Sequence, residues 1–513
     1  MRKEKLDIVL VNPPTRMQSR NMPYALLSLA AYLRAKGKSC KIIDVKPGHV
    51  SGLDTANIEE YVVDSILEAD TGIVGLTCLT AEYCVVYGMA EMLRRKGYKG
   101  LIVAGGHHPT FCPEDFLVPE GVFDFVIMGE GELTLHQLME VVGHGLGRAR
   151  EIDGVAFCKD GKLNRTAPRE LMRDLDFLAS VPYDLLDMSY RLQPRTDLIN
   201  NILLSGVGIL TTRGCPFRCV FCGNNTIWSN SGPGKRLRTR KIVDVVREVV
   251  FLKKNYDIDA FCIDDDMFTL NEQRVGEFCD QLKATGLNLI WYCQSHVNTF
   301  TESMAKKMKE AGCVQISFGV ESGSDRILME IKKGTKVENI IRAFRICDKY
   351  KIRSLANFML NTPTEEKIDL DATLALADEI KATKYVFAVT VPLLGTELYD
   401  KYVYPRLTKE EYAICGERIT YQDIADPRFR LTKHNINMAW LFIWVRLRYM
   451  IAREFFDSII WFLGHLDFYR KSSRYEAYKR EVLFVFPNKL CSIIRSTAKR
   501  IMIKTGLFRG SNR

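Results

Sequence analysis

Cys215, Cys219 and Cys222 stand in RGCPFRCVFCG, residues 213–223, three thiols at C-x3-C-x2-C spacing within one short loop. Thiols this close bind a soft metal as thiolates, and a closed tetrahedral site takes four ligands. A structural zinc site would need a fourth Cys or His at knuckle spacing. The next cysteine, Cys262, falls inside a strand candidate, and the nearest downstream histidine is His296. A disulfide would strand one thiol of the three. The pattern therefore predicts a [4Fe–4S] cluster on three thiolates, with one iron left open to chelate a small molecule carrying an amine beside a carboxylate.

A second group is Asp264-Asp265-Asp266, three adjacent carboxylates that would repel one another unless a cation or an ammonium offsets them. Both groups need elements that hold them at one place. From 206 to about 391, strand candidates GVGILTTR, IDAFCIDD, LNLIWYCQ, CVQISFG, RSLANFML and KYVFAVTV alternate with helical segments such as KIVDVVREVVFLKKN. Six strand–helix units predict an open, partial barrel, with its chemistry at the C-terminal strand ends. The cysteine loop follows the first of these strands, and the aspartates close the second.

Residues 5 to 145 alternate in the same way, with strands at 7–12, 40–45, 72–77, 100–106 and 124–129 and helices such as 24–37 and 86–97. This predicts a doubly wound parallel sheet whose ligand lies beyond the C-terminal strand ends. Those ends carry Asn12-Pro13-Pro14, Thr77 to Thr80, Gly105-Gly106-His107-His108-Pro109-Thr110 and Gly129-Glu130-Gly131-Glu132. Their glycines and small hydroxyls leave open backbone for a large ligand. Residues 146–195 read as a connector with a hairpin turning at Asp160-Gly161.

Taken together, these segments resemble the radical S-adenosylmethionine enzymes, and within them the cobalamin-binding branch. The three-cysteine loop with Phe221 before its last Cys carries the resemblance. So do Gly319-Val320-Glu321-Ser322-Gly323-Ser324 and Pro392-Leu393-Leu394-Gly395-Thr396, at the ends of the fourth and sixth barrel strands. N-P-P, GGHHPT and GEGE match the cobalamin branch, and the likeness spans roughly residues 5 to 400. Asn361 departs from the family's pattern, standing where glycine is common. The resemblance implies a flavodoxin-like cobalamin domain (1–145), a connector (146–195), a (β/α)6 radical SAM barrel (196–400) and a helical basic region (401–513). It also implies that S-adenosylmethionine would complete the cluster's fourth position and be cleaved by one electron to a 5′-deoxyadenosyl radical, which would abstract hydrogen from an unactivated carbon.

For S-adenosylmethionine the resemblance implicates Phe221, Asp264, Asp265, Asp266, Gln294, Glu321 and Ser322. For cobalamin it implicates Asn12, Pro13, Pro14, Thr77, Thr80, Gly105, Gly106, His107, Thr110, Gly129, Glu130 and Gly131. No D-x-H-x-x-G occurs among the eight histidines, so cobalamin is expected to bind without a histidine on its lower face, and His107 and His108 are loop contacts to the corrin. The implied reaction is methyl transfer; the alternatives are a radical cyclase or rearrangement, and a non-catalytic iron–sulfur or corrinoid carrier. A flavodoxin- or ferredoxin-type donor is implied for the electron.

Fifteen irregularly spaced cysteines without an export signal fit reduced thiols in the cytoplasm. The net charge of +10 belongs to the tail: residues 431–513 hold 16 Lys and Arg against 5 Asp and Glu. That segment crowds aromatics between arginines, as helices at a membrane interface do. It fits either peripheral contact with the inner face of a membrane, suited to a small-molecule or lipid substrate, or a helical cap on the barrel. No recognition motif points to nucleic acid.

Overall fold

A computed structural model describes residues 5–482 apart from 15–19, 48, 51–52, 55, 143–145, 201, 231–233, 235, 416–426 and 452–459. The expected domain end at 145 and the last part of the basic tail lie outside the described residues.

Five parallel strands build the first sheet: β1 (Ile8–Val11), β2 (Cys40–Ile43), β3 (Ile73–Thr77), β4 (Leu101–Gly105) and β5 (Phe125–Ile127). Their side chains alternate between two cores. Ile8 and Leu10 pack with helices α1 (Tyr24–Ala35) and α5 (Glu132–Val142), while Val9 and Val11 pack with α2 (Ile58–Leu67) and α3 (Tyr83–Arg95). A strand buried on both faces reads as a continuous apolar run, and IVLV is one. A short helix, α4 (His107–Phe111), follows β4.

The connector reading is corrected in part. Its hairpin, β6 (Val155–Lys159) and β7 (Lys162–Arg165), adds two antiparallel strands to the first sheet, giving the order β2-β1-β3-β4-β5-β6-β7. Asp160 and Gly161 turn it with φ of 52° and 70°, as a two-residue hairpin turn requires. The chain then crosses through α6 (Met188–Arg191), capped by Asp187, into a hairpin of β8 (Arg195–Ile199) and β9 (Ile202–Leu204).

The second sheet is wholly parallel, in the order β10 (Gly206–Ile209), β13 (Ala260–Ile263), β14 (Ile290–Ser295), β15 (Cys313–Glu321), β16 (Arg353–Leu360) and β17 (Lys384–Val389). Between its first two strands lie a two-residue pair, β11 (Thr212–Arg213) and β12 (Arg238–Thr239), and helix α7 (Gly223–Asn230). Amphipathic helices cover the outer face: in Val337–Lys349, Ile340, Ala343, Phe344 and Cys347 recur at helical spacing and are buried. The α1/α5 core of the first domain runs without a break into this outer core, so one apolar mass fixes both domains.

Below the strand ends the inner face is plugged. Ala260, Cys262 and Tyr292 pack against the β8–β9 hairpin and against Phe462, Tyr469 and Tyr478 from the tail. The Tyr478 hydroxyl donates to Asp259 Oδ2 (2.6 Å) and accepts from the Ser205 amide (2.7 Å), while Ser472 donates to the same carboxylate (2.8 Å). The described tail residues are therefore a structural part of the barrel. Among the described residues no helix is long and apolar enough to cross a membrane.

Candidate active site

The cysteine loop is seated before it begins. Gly214 has φ of +88°, and a Cβ there would stand 1.9 Å from the Arg236 carbonyl oxygen, so only glycine lets β11 turn into the loop against β12. The Val220 amide donates to the Ile331 carbonyl (3.1 Å), and the Leu398 amide donates to the Val220 carbonyl (3.1 Å), pinning the loop from two sides. Cys215, Cys219 and Cys222 face one cavity of about 500 Å³, with Phe221, Gln294 and Glu321 on its walls. Among the described residues these thiols do not close within 4.8 Å of one another. Burial pushes the Cys219 thiol up to about 11 and raises Cys215 above its ordinary value. Without a Lewis acid both stay protonated, so the donor set fits a cationic cluster that would hold them as thiolates.

The three aspartates part company. Asp265 is wholly buried and turns back into β11, accepting from the Thr211 amide (2.6 Å), the Thr211 hydroxyl (2.5 Å) and the Thr212 amide (2.9 Å). Its expected place at the cosubstrate is taken by that structural duty. Asp266 faces the cluster cavity and accepts from Asn224 Nδ2 of α7 (2.5 Å). Asp264 faces a different cavity and accepts from the Tyr24 hydroxyl at the start of α1. The room for that bond comes from Gly208, where a Cβ would meet Tyr24 Oη at 1.8 Å and Asp264 Oδ2 at 2.2 Å. Burial raises the Asp264 carboxyl and, with the Asp264 charge beside it, raises the Tyr24 hydroxyl.

At the end of β15, Glu321 adopts φ of +64° and accepts from Lys333 Nζ (2.7 Å). Burial alone would lower the Lys333 ammonium; the Glu321 charge and the nearby thiols outweigh it and leave it raised. A Cβ on Gly319 would meet Glu321 Oε1 at 2.3 Å and Lys333 Nζ at 2.5 Å, which explains the glycine. His296 stacks on Phe217 with centroids 3.9 Å apart, and burial with the Lys333 charge pulls it down to about 4, so it is neutral. Ser322 does not reach the cavity. It is buried and pairs with Thr373 (3.1 Å), fastening β15 to helix Lys367–Ile380.

The second cavity, about 420 Å³, opens over the ends of β3, β4 and β5 and runs down between α1 and α5. Thr77, Gly105, Gly106, His107, Thr110, Gly129, Glu130 and Gly131 line it, as does Leu210 of the barrel. A Cβ on Gly105 would find nothing nearer than the Ile127 carbonyl oxygen at 3.9 Å, so that glycine leaves free space, as a close-lying macrocycle needs. The residues present thus fit a corrinoid. Asn12, Pro13, Pro14 and Thr80 do not line it. The Asn12 amide donates to Asp44 (2.9 Å), the Pro13 carbonyl accepts from Lys46 (2.8 Å), Pro14 is buried, and Thr80 starts a 3-10 turn. His108, expected in an exposed loop, is fully buried, hydrogen-bonded to Asp115 (2.9 Å) and stacked on Tyr83.

Charges that the sequence left unpaired join the two domains. Arg213 of β11 reaches Glu130 (3.0 Å), Glu132 (2.6 Å) and Ser28, and Arg238 of β12 reaches Glu130 (2.7 Å). Sequence reasoning missed Arg213, Lys333, Tyr24 and Asn224. A Glu held at a strand end inside a cavity calls for a cation, and Lys332-Lys333 was the signal available for that one.

A cavity over the glycine-rich strand ends of the first sheet, meeting a three-thiol cavity at the mouth of an open parallel barrel, defines a radical S-adenosylmethionine enzyme with a cobalamin domain. Residues 209–377 match the Radical SAM superfamily model and residues 16–139 the B12 binding domain model. The chain is 32% identical over 401 residues to an uncharacterized methyltransferase of Pyrococcus horikoshii, covering 77% of this chain and 83% of that one. It is 26% identical to an anaerobic magnesium-protoporphyrin IX monomethyl ester cyclase of Synechocystis, over 86% of this chain and 84% of that one. The fold is similar to that of the radical S-adenosylmethionine methyltransferase TsrM from Kitasatospora setae, with tryptophan and an S-adenosylmethionine analogue bound (TM-score 0.63, 18% identity, 78% and 77% covered). The chain belongs to the cobalamin-binding branch of the radical SAM superfamily.

Proposed function

We propose that this protein is a cobalamin-dependent radical S-adenosylmethionine methyltransferase acting on an unactivated carbon. The observation that carries the reading is the meeting of the two cavities: Asn224 and Asp266 line both. A substrate lodged there is within reach of the radical side and of the corrinoid side. The bound cofactors supply the electron that cleaves S-adenosylmethionine and the methyl group that is transferred. The chain supplies everything else. Cys215, Cys219 and Cys222 hold the cluster; Phe221, Gln294, Glu321 and Asp266 face the cosubstrate; Lys333 fixes Glu321 and keeps His296 neutral. Thr77, Gly105, Gly106, His107, Thr110, Gly129 and Gly131 face the corrinoid, while Glu130 acts through Arg213 and Arg238. Apolar walls at Leu26, Leu29, Ile127 and Leu135 exclude water from the deep part of that cavity. Pro216 and Arg218 are exposed beside the thiols, where a flavodoxin- or ferredoxin-type donor has access. Anaerobic turnover with reductant tests the reading. A methyltransferase forms both 5′-deoxyadenosine and S-adenosylhomocysteine, a cyclase forms only the first, and a carrier forms neither.

A specific observation also favours peripheral membrane contact. Trp440, Trp444 and Leu447 follow one another at helical spacing and are 49%, 44% and 47% exposed, with Arg448 over the Trp444 ring at 5.3 Å. Basic, aromatic helix faces of this kind lie at anionic headgroups. Since the tail beyond them plugs the barrel, the test is the Trp440→Ser, Trp444→Ser double variant, which should lose salt-sensitive flotation with anionic vesicles. Equal flotation of parent and variant refutes the contact.

A further inference from the structure

Three metal-ligating side chains converge at α4 and the turn after it, away from the corrinoid cavity. His107 and Thr110 of this helix line that cavity; His108, Cys112 and Asp115 do not. These three recur at i, i+4 and i+7, the spacing that keeps residues on one side of a helical segment. The backbone holds them there: the Cys112 amide donates to the His108 carbonyl (2.9 Å) and the Asp115 amide to the Cys112 carbonyl (3.1 Å). A ring nitrogen, the thiol sulfur and a carboxylate oxygen all lie within 4.8 Å of one another. The surroundings are built for the group. His108 is 0% and Asp115 7% exposed. Tyr83 stacks on the imidazole with centroids 5.2 Å apart, and Tyr412 meets it edge-on at 4.7 Å. The Tyr83 hydroxyl donates to the Asp115 carbonyl (3.0 Å). Lys409 Nζ stands 3.9 Å from Asp115 Oδ1, while Oδ2 faces His108 Nε2 at 2.9 Å. Among the described residues His108 Nδ1 has no hydrogen-bond partner, and a buried polar atom left so calls for an explanation such as an ion.

We propose that His108, Cys112 and Asp115 bind one zinc ion, separate from the cluster and from the corrinoid. Imidazole, thiolate and carboxylate together suit zinc, whereas calcium and magnesium take oxygen ligands throughout. One thiolate and one carboxylate balance its charge, as a buried site requires. Cys112 is half-buried and gives the ion its way in. Its proton leaves to solvent as the metal–sulfur bond forms, and a water takes the fourth position. Tyr412 belongs to the 3-10 turn Glu410–Cys415 that follows the barrel, and its ring rests on His108. A metal on His108 therefore braces α4, and with it the wall that carries His107 and Thr110, against that turn.

The test uses the holoenzyme, with cluster and cobalamin in place, incubated with zinc ion and washed with a weak chelator. Metal analysis should count about one zinc per chain. Absorption fine structure at the zinc edge, which the cluster iron does not disturb, should show one sulfur at about 2.3 Å and three nitrogen or oxygen atoms at about 2.0–2.2 Å. Cys112→Ser should lose the sulfur and weaken zinc binding at least about tenfold, with iron and cobalamin stoichiometry at parent values. Asp115→Asn keeps a hydrogen bond to His108 and should weaken zinc binding as well, a second reading should Cys112→Ser fail to fold. Zinc should raise the thermal midpoint of the parent and leave that of Cys112→Ser unmoved. No zinc retained, a zinc shell without sulfur, two or more sulfurs (the cluster cysteines), or equal retention by the variants overturns the proposal. A parent midpoint that zinc does not raise overturns the bracing role. None of these readouts needs turnover, so the reaction reading stands or falls separately.

Discussion

Replacing Arg213 with alanine removes the cation that joins Glu132 to the barrel. Glu130 keeps Arg238 (2.7 Å) and the Met172 amide (2.8 Å), so it remains satisfied. Glu132, with a side chain 5% exposed, keeps the Ser28 hydroxyl (2.5 Å) and a backbone hydrogen bond but loses its cation. Stranding one buried carboxylate costs about 3 kcal/mol, the low end for a broken buried pair, because half of the network survives. The pH dependence gives the sharper test. In the parent, burial would raise Glu132, but the Arg213 charge and hydrogen bonds outweigh it and hold the carboxyl below its ordinary value. That stability is present above the unfolded pKa and fades as pH falls through the lowered folded value. In Arg213→Ala burial, the largest influence on this carboxyl, is opposed only by the Ser28 and backbone hydrogen bonds; the folded pKa is expected to rise above the unfolded one, and stability to fall as pH climbs through it. Parent and variant therefore have opposite slopes in mildly acidic solution. Hydrogen exchange of the amides at 131–135 and 212–214 reads the local opening free energy on the apo chain. A loss under about 1 kcal/mol, or slopes of the same sign, refutes the account of a buried interdomain ion network. Arg213→Met with Glu132→Gln should recover most of the loss, since it leaves no uncompensated charge.

Cys219→Ala should abolish iron–sulfur absorbance and 5′-deoxyadenosine formation, and cleavage at the parent rate would refute the cluster assignment. Gly319→Ala drives a methyl into Lys333 and Glu321; it should weaken S-adenosylmethionine binding tenfold or more while the cluster is retained, as read by equilibrium dialysis and absorbance. With His296 held down to about 4, its NMR titration should show no protonation between pH 5.5 and 8, about the span over which a free imidazole titrates. Tyr478→Phe leaves Asp259 and the Ser205 amide short of a partner and should cost about 1–3 kcal/mol by chemical denaturation, without changing cobalamin stoichiometry.

Residues close in sequence declared themselves best. The spacing of Cys215, Cys219 and Cys222, the alternation of strands with helices and the Gly-rich ends of β4 and β5 follow from local geometry, and all were legible. Asp264, Asp265 and Asp266 were legible as a site but not as three roles, because direction after a strand end depends on which neighbours offer donors: Tyr24, the Thr211–Thr212 backbone and Asn224. His107 and His108 differ for a similar reason. Successive positions on α4 point about 100° apart, so one lines the cavity and the other enters the core. The β6–β7 hairpin read correctly as a hairpin, yet nothing local tells that it joins the first sheet. The tail's aromatics read equally as interface or cap, and only contacts more than 200 residues away in sequence, such as Tyr478 with Asp259, show that its helices at 466–480 belong inside the barrel, while Met438, Leu441 and Val445 pack with the outer core.

That last contact also sets an order of events during synthesis. Asp259 and Tyr478 are 219 residues apart, so at roughly 5–20 residues per second the carboxylate emerges about 10–40 s before the hydroxyl that completes it. The first domain has its whole sheet available by Arg165, and its α2/α3 core is completed once Val391, Leu394, Tyr399 and Phe429 have followed. The barrel cannot close its inner face until the tail arrives, and through that window β8, β9 and Tyr292 present uncovered apolar surface. Ribosome stalling or truncation ahead of residue 460 would release a chain with a finished corrinoid domain attached to an unplugged barrel, the species that chaperones would have to shield.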